Sequence, residues 1–335
     1  MTTDPPKART AIVIATHKQC YPLDRCLASH RALLANSADL VFVDNGSQDG
    51  MGTWARGTFP DITVIRRDPN GFFCGGYNAG LQHALDNNYE FALIVNADTE
   101  VHDPRFLNGL LDAAARHPRG AFFGPRVFLR EVGNVQNTVL EFPNFRRNFV
   151  GRWRSVLGLN RPLRSGDCEK RVEYLNGVCV LCRISALREI GLMDEVMGGY
   201  VEDVDWSWRA RALGWYSVYV PVPSIIHHQE DVGYEHYSLK MFLLRRNQVY
   251  WHIKCGRPLQ ARLYALGVVQ LARLRRWHYR RNLEVVQHYD YYIRRFAEVA
   301  RRLLAGDVPG KWFGPPIGDW EEDEAARKCK VKSEK

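Results

Sequence analysis

Hydrophobic and polar positions alternate over residues 10–125 in a pattern typical of an α/β protein. Short apolar runs such as TAIVIATH, DLVFVDN and FALIVNAD predict buried strands, because each is rich in strand-forming residues and bounded by turn residues. Between them, YPLDRCLASHRALLAN and AGLQHALDNN carry apolar residues at helical spacing. Short buried strands that alternate with helices predict a mostly parallel sheet covered by helices on both faces.

The pattern changes near residue 236 and is helical from there on. The stretch HYDYYIRRFAEVARRLL, for example, has an aromatic and aliphatic stripe at helical spacing beside paired arginines. We therefore expect an α/β domain over residues 1–235, a basic helical region over 236–310 and a poorly ordered, Pro/Gly-rich and charged tail over 311–335. Residues 130–170, rich in Arg, Asn and aromatics, predict a long loop.

Composition and charge restrict the class of protein to which the chain can belong. The chain has 335 residues, 46% of them hydrophobic, which is enough for a substantial core. No stretch approaches the roughly 18 apolar residues of a membrane span, and the N-terminus lacks a signal-peptide pattern, so we expect a cytoplasmic protein. The net charge of +9 is concentrated between Lys240 and Arg302, a segment that contains fifteen Lys or Arg and only three Asp or Glu. Such a segment either lies on an anionic membrane surface or is a solvated helix face.

The cysteines do not indicate a metal site. Cys179 and Cys182 form a CxxC without a second pair of ligands at suitable spacing. We predict that they are reduced structural thiols.

Polar residues follow the predicted strands. The first strand ends at Thr16, the second runs into Asp44-Asn-Gly-Ser, and a later one ends in Asn96-Ala-Asp98-Thr. In parallel sheets ligands bind beyond the carboxyl ends of the strands, so these residues predict a site at one edge. There, Asp44 could accept hydrogen bonds from a nucleobase or ribose, and Asp98 could supply an oxygen to Mg or Mn. Ordinary turn chemistry accounts for each residue taken alone.

A glycine-rich stretch, PNGFFCGGYNAG, lies between two of these strands. Its Asn70-Gly71 pair predicts a turn, and the glycines that follow run into a helix whose N-terminus could approach a phosphate. The spacing fits neither the Walker pattern nor GxGxxG, so a tight loop explains the stretch equally well.

The stretch GGYVEDVDWSW crowds three acids, Glu202, Asp203 and Asp205, among aromatic residues. Acids in the first turn of a helix are favoured by its dipole, which is one explanation. The other is a site that faces Asp98. The next strand ends in IIHHQE, so that one of its two histidines could act as a nitrogen ligand.

In this order and spacing, VDNGSQDG, NGFFCGGYNAG, NADT, EDVDWSWRARALGW and the HH pair resemble the family 2 inverting glycosyltransferases over residues 10–250. The likeness is greatest to bacterial rhamnosyltransferase-like and galactofuranosyltransferase-like members. It implies a GT-A fold, a nucleotide-sugar donor, a divalent metal (Mg or Mn), Asp203 as catalytic base, and Asp98 and His227 as metal ligands. The residues it implies for the donor nucleotide are Thr16, Asp44, Asn70, Gly71, Asn78 and Asn96.

Around the base we expect Glu202, Asp205 and Trp206 to raise its basicity, orient it or contact the acceptor. Core packing is the competing interpretation of Trp206, and an orienting ion pair with Arg209 is expected for Asp205. The sequence departs from the family pattern at two positions. Asn96 replaces the first acid of the DxD-like metal motif, and Phe72 stands where many relatives have glycine.

The resemblance implies sugar transfer with inversion from a dTDP- or UDP-sugar, such as dTDP-rhamnose, to a hydroxyl of a glycan or lipid-linked acceptor. Peripheral membrane contact through residues 240–302 fits such an acceptor, and no nucleic-acid partner is expected. A nucleotidyltransferase is disfavoured, because the first strand ends in ATHKQCYP without a glycine-rich loop. A non-enzymatic membrane- or nucleic-acid-binding protein on a degenerate transferase fold is the remaining alternative.

Overall fold

A computed structural model describes residues 9–17, 23–33, 38–143, 165–229 and 239–308. The chain divides into two compact units. The first comprises residues 1–194 and 202–231, and the second comprises residues 195–201 and 232–335. The tail predicted over 311–335 and the middle of the loop predicted over 130–170 lie outside the described residues.

The first unit contains a mixed, mostly parallel sheet, as its sequence pattern predicts. Its strands are β1 (Thr10–Thr16), β2 (Ala38–Asn45), β3 (Thr63–Arg67), β4 (Phe91–Asn96), β5 (Thr99–Glu100), β6 (Gly120–Leu129), β7 (Val135–Gln136), β8 (Val139–Leu140), β9 (Lys170–Val172), β10 (Tyr174–Leu175), β11 (Cys179–Arg183) and β12 (Tyr216–His227). The sheet order is β3-β2-β1-β4-β11-β6-β12-β5, with β7 beside β6 and β9 beside β12, while β8 and β10 pair separately. The four neighbouring strands β3, β2, β1 and β4 are parallel to one another. Strand β11 is antiparallel to both of its neighbours, β4 and β6.

Helices cover the sheet and explain why its strands are apolar on both faces. They are α1 (Leu23–Arg31), α2 (Met51–Thr58), α3 (Phe72–Asp86), α4 (Phe106–Arg116), α5 (Ile184–Ile190) and α6 (Glu202–Ala212). Strand residues such as Ile12, Phe42 and Leu93 form one buried cluster with α4 residues such as Phe106. Gly80 lets α3 approach β1, because a Cβ there would lie only 2.2 Å from a Val13 methyl carbon.

The two cysteines of the CxxC are free thiols buried in β11. Burial raises the pKa of the Cys182 thiol well above its ordinary value, and it raises that of Cys179 as well. Neutral, buried thiols agree with the structural role predicted for them.

The second unit is helical. Its helices are α7 (Leu239–Lys254), α8 (Pro258–His278) and α9 (Leu283–Leu304), preceded in the chain by a 3₁₀ turn at Glu195–Met197. The aromatic stripe predicted on α9 is buried, since Tyr289, Tyr292 and Phe296 pack with Phe242 of α7 in one cluster. Within the described ranges, no helix is long and apolar enough to cross a membrane.

Two buried side chains of α7 hold the short segment 195–201. Asn247, fully buried, donates to three backbone carbonyl oxygens of the segment at 2.7–2.8 Å. Arg246, also buried, donates to two at 2.7 and 2.8 Å. The segment ends with Tyr200 at φ 65° and Val201 at φ 72°, a left-handed conformation that is costly for a β-branched residue. The buried hydrogen bonds stabilise this unfavourable backbone.

Candidate active site

The sheet brings together three of the predicted donor-binding residues. Parallel pairing of β1 with β2 places Thr16 opposite Asp44, and pairing of β1 with β4 places Ala15 opposite Asn96. The carboxyl ends of these central strands therefore form one polar edge, where the sequence predicts a ligand site.

Asp44 is a buried carboxylate with a cationic partner. One of its oxygens accepts a hydrogen bond from Arg66 Nη1 at 2.7 Å, and the other accepts one from the Ser47 backbone N–H at 3.0 Å. Burial raises the pKa of Asp44, but the hydrogen bonds from Ser47 and Arg66 outweigh it and lower the pKa below its ordinary value. Gly52 makes room for the carboxylate, since a Cβ there would lie 2.6 Å from Asp44 Oδ2. Asp44 is thus fixed as an ionised acceptor.

Sequence reasoning missed Arg66, although a signal existed. Arg66 lies on β3 directly opposite Asp44 in the parallel register, so a correct pairing of the two strands would have brought them together. Arg66 also binds Asp68 at 2.8 and 2.9 Å, which fixes the guanidinium between two acids.

The turn at Asn70-Gly71 is held by Asn45, a second residue that the sequence analysis did not assign. The Asn45 side-chain oxygen accepts from the Gly71 N–H at 2.9 Å, and its amide donates to the Phe72 carbonyl at 2.8 Å. Asn70 in turn accepts from the Phe72 N–H at 2.8 Å. Phe72 has φ 55°, a conformation that favours glycine, which explains why glycine suits this position in the family. The turn is a preformed part of the polar edge.

Gly71 lies against the guanidinium of Arg67. A Cβ on Gly71 would approach Arg67 Nε to 2.2 Å, and one on Gly75 would approach Arg67 Cζ to 2.8 Å. The glycines at the start of α3 therefore accommodate an arginine at the position where we expect the donor's phosphates.

Asn78 does not fit the donor-binding role predicted for it. Its side chain is buried, donates to the Met193 carbonyl at 2.9 Å and accepts from the Met193 N–H at 3.1 Å. Because both polar atoms of the amide are engaged with one backbone residue, Asn78 serves to join α3 to the loop after α5.

Asp98 and His227 meet, as the predicted metal site requires. Antiparallel pairing of β5 with β12 sets His227 opposite Thr99, and His227 Nε2 lies 3.2 Å from Asp98 Oδ1. The other ring nitrogen of His227 lies 2.8 Å from the Gln136 side-chain oxygen. If Nδ1 donates its proton to Gln136, the Nε2 lone pair faces a carboxylate oxygen, and that arrangement suits a cation between them.

These two residues fit a divalent metal that takes its remaining ligands from phosphate and water, as Mg and Mn sites do. A complete protein cage is not present: within the described residues, no group of three or more His, Cys, Asp or Glu could hold a metal. The structure also separates the two histidines. His228 Nε2 lies 3.0 Å from Glu100 instead, so His227 is the one placed with Asp98. Nothing in the sequence pointed to Gln136, which lies in the stretch predicted as a long loop.

The acids of GGYVEDVDWSW begin helix α6. Glu202 is 7% exposed, and Asp203 is half-buried and accepts from the Val204 N–H at 2.8 Å. Both line a cavity whose walls include Phe73, Gly177 and further apolar side chains. Glu202 Oε2 is buried and has no hydrogen-bond partner among the residues that the structure describes.

The acidic pair binds protons more tightly than ordinary carboxyls. Burial, followed by the charge of Asp203, raises the pKa of Glu202 to about 8. Burial raises that of Asp203 to about 6. Near neutral pH the pair can therefore share one proton beside the cavity. Tyr174, whose own pKa is raised by burial and by the charges of the nearby acids, is a further neighbour that the sequence did not reveal.

The other two residues predicted around the base have internal partners. Asp205 is buried and accepts from Arg209 Nε at 2.9 Å, the i,i+4 pair expected from the sequence. Trp206 is 4% exposed, donates to the Gly191 carbonyl at 2.8 Å and packs its ring 4.6 Å from that of Phe122. Most of this ring packs in the core, but Trp206 also lines the cavity beside the acidic pair, so the acceptor contact stays a prediction.

Comparison with known proteins agrees with this geometry. The sequence model described as "Glycosyl transferase family 2" matches residues 11–190. A relative in two strains of Mycobacterium tuberculosis, N-acetylglucosaminyl-diphospho-decaprenol L-rhamnosyltransferase, is 27% identical over 308 residues, which cover 82% of this chain and 97% of the relative. Undecaprenyl-phosphate mannosyltransferase of Micrococcus luteus is 31% identical over 221 residues, covering 64% of this chain and 82% of the relative.

Among solved structures, GalNAc-T7 with UDP, GalNAc and Mn²⁺ is similar with a TM-score of 0.54 and 12% sequence identity. The similarity covers 74% of this chain but only half of that one, and it concerns the fold. The GT-A fold expected from the sequence is thereby confirmed.

Proposed function

This chain belongs to glycosyl transferase family 2 and is a hexosyl-type glycosyltransferase, and we propose that it transfers a sugar with inversion from a nucleoside-diphosphate sugar to a lipid-linked glycoside. The observation that carries the proposal is the placement of Glu202 and Asp203 side by side in the wall of one mostly apolar cavity, where burial raises the pKa of both. Family membership argues against the non-enzymatic alternative.

The donor's nucleoside would lie on the polar edge of the sheet. Asp44, kept ionised by Arg66, is suited to accept hydrogen bonds from nucleobase N–H or ribose O–H groups. Thr16, Asn70, Gly71 and Asn96 complete the expected donor contacts. The relative's name favours an L-rhamnosyl donor, which agrees with the dTDP-rhamnose or UDP-sugar expected from the sequence.

Asp98 and His227 would hold a divalent metal, with Gln136 fixing the histidine ring. When bound, the metal neutralises the charge of the leaving diphosphate. The protein's own contribution is to keep the imidazole Nε2 and the carboxylate aimed at one point.

Asp203 acts as the general base. It accepts the proton of the acceptor hydroxyl as that oxygen attacks the anomeric carbon from the face opposite the diphosphate, which inverts the configuration in one displacement. A base with a pKa near 6 is ionised at neutral pH yet basic enough to take the proton. The proton on Glu202 removes the repulsion that two adjacent carboxylates would otherwise create.

The acceptor would be a sugar carried on a polyprenyl diphosphate, as the name of the Mycobacterium relative suggests, and the name of the Micrococcus relative also contains a polyprenyl phosphate. Such a substrate lies in a membrane, and the basic region 240–302 is the part of the chain expected to approach it.

A thermal-shift panel tests the proposal. The full chain is heated with dTDP-, UDP- and GDP-sugars, each with Mn²⁺, with Mg²⁺ and with EDTA. A ligand that binds only the folded state raises its stability, so we expect one nucleotide to raise the melting temperature and the metal to enlarge the shift. If no nucleotide moves the melting temperature, the donor site is assigned wrongly.

A further inference from the structure

Helix α8 packs with its small side chains inward and its large ones outward. The buried positions are Ala261, Ala265, Val268 and Ala272. The exposed ones, here called the leucine face, are Leu259 (67% exposed), Leu263 (44%), Leu266 (60%), Leu274 (64%) and Trp277 (64%). Successive members of this face lie three or four positions apart, except between Leu266 and Leu274, where a polar residue takes the intermediate position. The five side chains therefore share one side of the helix.

The neighbouring helix α9 has the ordinary arrangement. Its large apolar residues Tyr292, Phe296 and Leu303 are buried, whereas Arg294 and Arg301 are exposed. The two helices pack in the same hydrophobic cluster. The outward placement of large apolar side chains is therefore specific to α8 and is not a property of the unit as a whole. A contiguous exposed apolar strip of this kind indicates a surface that binds a protein or a membrane.

The charge on α8 identifies the partner. Residues 258–278 contain four arginines and no Asp or Glu. Two of the arginines, Arg262 and Arg273, are exposed four residues before Leu266 and Trp277, so they flank the leucine face. Pairing with a second copy about a two-fold axis would set arginines against arginines with no acid on the helix to neutralise them. An anionic lipid surface instead offers phosphates to the arginines and acyl chains to the leucines.

We propose that the leucine face of α8 docks on the surface of an anionic bilayer. The helix would lie in the interface plane with its leucines below the phosphates and Trp277 at headgroup depth, where tryptophan is enriched. The inference rests on the proposed function only in that a lipid-linked acceptor requires the enzyme to reach a membrane.

The test is co-sedimentation of the full chain with vesicles, without donor or acceptor. Vesicles of phosphatidylglycerol and phosphatidylcholine are compared with vesicles of phosphatidylcholine alone. The variant Leu263→Gln/Leu266→Gln/Leu274→Gln/Trp277→Gln should bind the anionic vesicles about 100-fold more weakly, because its apolar contact is lost. Arg262→Gln/Arg273→Gln should lose about fivefold per arginine, and only on anionic vesicles.

The matched control is Val132→Gln/Leu213→Gln/Val222→Gln, which removes exposed apolar side chains from the first unit. It should bind vesicles as the parent chain does. Equal binding by the control and the four-residue variant, or no binding by the parent, would overturn the proposal. So would a parent chain that is dimeric in solution and becomes monomeric in the four-residue variant, since the face would then join two copies.

The donor-dependent thermal shift separates the two proposals. If the four-residue variant loses vesicle binding but keeps the shift with a nucleotide-sugar, the fold and donor site are intact. If the parent binds vesicles but no nucleotide, the membrane inference stands and the proposed function fails.

Discussion

Asp44 and Asp203 are carboxyls of the same catalytic unit with opposite affinities for protons. Asp44 is the more buried of the two, yet its pKa is lowered, because Arg66 and Ser47 hydrogen-bond to its charged form. Asp203 lies in the wall of a cavity lined mostly by apolar side chains, and there burial raises its pKa because the backbone hydrogen bonds to its charged form do not outweigh it. Burial raises the pKa of both carboxyls, and the strength of the hydrogen bonds to the charged form decides whether that effect is overcome.

Asp203→Asn should have the largest effect, because it removes the proton acceptor and leaves the shape unchanged. We expect the rate constant kcat to fall by about 1,000-fold or more, while the donor-induced thermal shift is kept. Steady-state kinetics on a lipid-linked acceptor would measure this. Asp103→Asn, an exposed acid paired with Arg105, serves as the control and should leave kcat unchanged. Unaltered transfer by Asp203→Asn would refute the assignment of the base.

His227→Ala should come next, with a loss of roughly 10- to 100-fold in metal affinity. Calorimetric titration of Mn²⁺ in the presence of the nucleotide would report it directly. His228→Ala is the matched control, since the imidazole of that neighbouring histidine pairs with Glu100. If the two variants bind Mn²⁺ equally well, the metal ligands lie elsewhere.

Glu202→Gln breaks the acidic pair without removing the base. A carboxyl whose pKa is raised by folding stabilises the folded state at low pH and loses that contribution as pH rises through the raised value. The parent should therefore lose stability relative to Glu202→Gln as pH rises from about 4.5 to about 8. Urea denaturation at pH 5 and pH 8.5 would measure the difference in the free energy of unfolding. A difference that does not change with pH would show that Glu202 is not held protonated.

The same variant sharpens the pH profile of the reaction. Without the neighbouring acid, the acidic limb of kcat should depend on Asp203 alone, with its midpoint set by burial near pH 6. A limb that stays at the ordinary pKa of an aspartic acid in both proteins would contradict the environment assigned to Asp203.

Arg66→Gln should have the smallest effect. It removes the cation beside Asp44, so the pKa of Asp44 should rise, with the hydrogen bond from Ser47 still favouring the charged form. We expect the Michaelis constant for the donor to rise about tenfold with kcat nearly unchanged, as for a group that binds ground state and transition state alike. Arg105→Gln, a partner of the exposed Asp103, is the control and should leave both constants alone.

Much of the first unit could be predicted from its sequence, because short apolar strands that end in polar residues leave few arrangements for a sheet. The strand ends pointed to Asp98 and to one of two histidines, the family resemblance implied His227, and the structure sets Asp98 and His227 side by side. Asn78 and Trp206 have internal partners that the sequence did not indicate, for a shared reason. Their neighbours in the sequence are site residues, but each side chain is turned towards a backbone carbonyl of the loop after α5, which no local pattern reveals.

Arg66 and Gln136 illustrate what local patterns leave out. Both act on predicted site residues from strands far away in the chain, so their roles depend on strand pairing rather than on motifs. The leucine face of α8 could not be predicted from the sequence for another reason. Its alanines and leucines are all apolar, so hydrophobic periodicity could not tell which side of the helix faces the core.

The hydrogen bonds from Asn247 to residues 195–201 affect which segments can be exchanged between such enzymes. The second unit includes this short segment as well as the C-terminal helices, so the chain passes from one unit to the other three times, at 194/195, 201/202 and 231/232. A single crossover at residue 231 that exchanged the C-terminal helices with those of a relative would separate Asn247 from the carbonyls it satisfies. Chimeric transferases that move segment 195–201 together with the helices should fold better than those joined at one point.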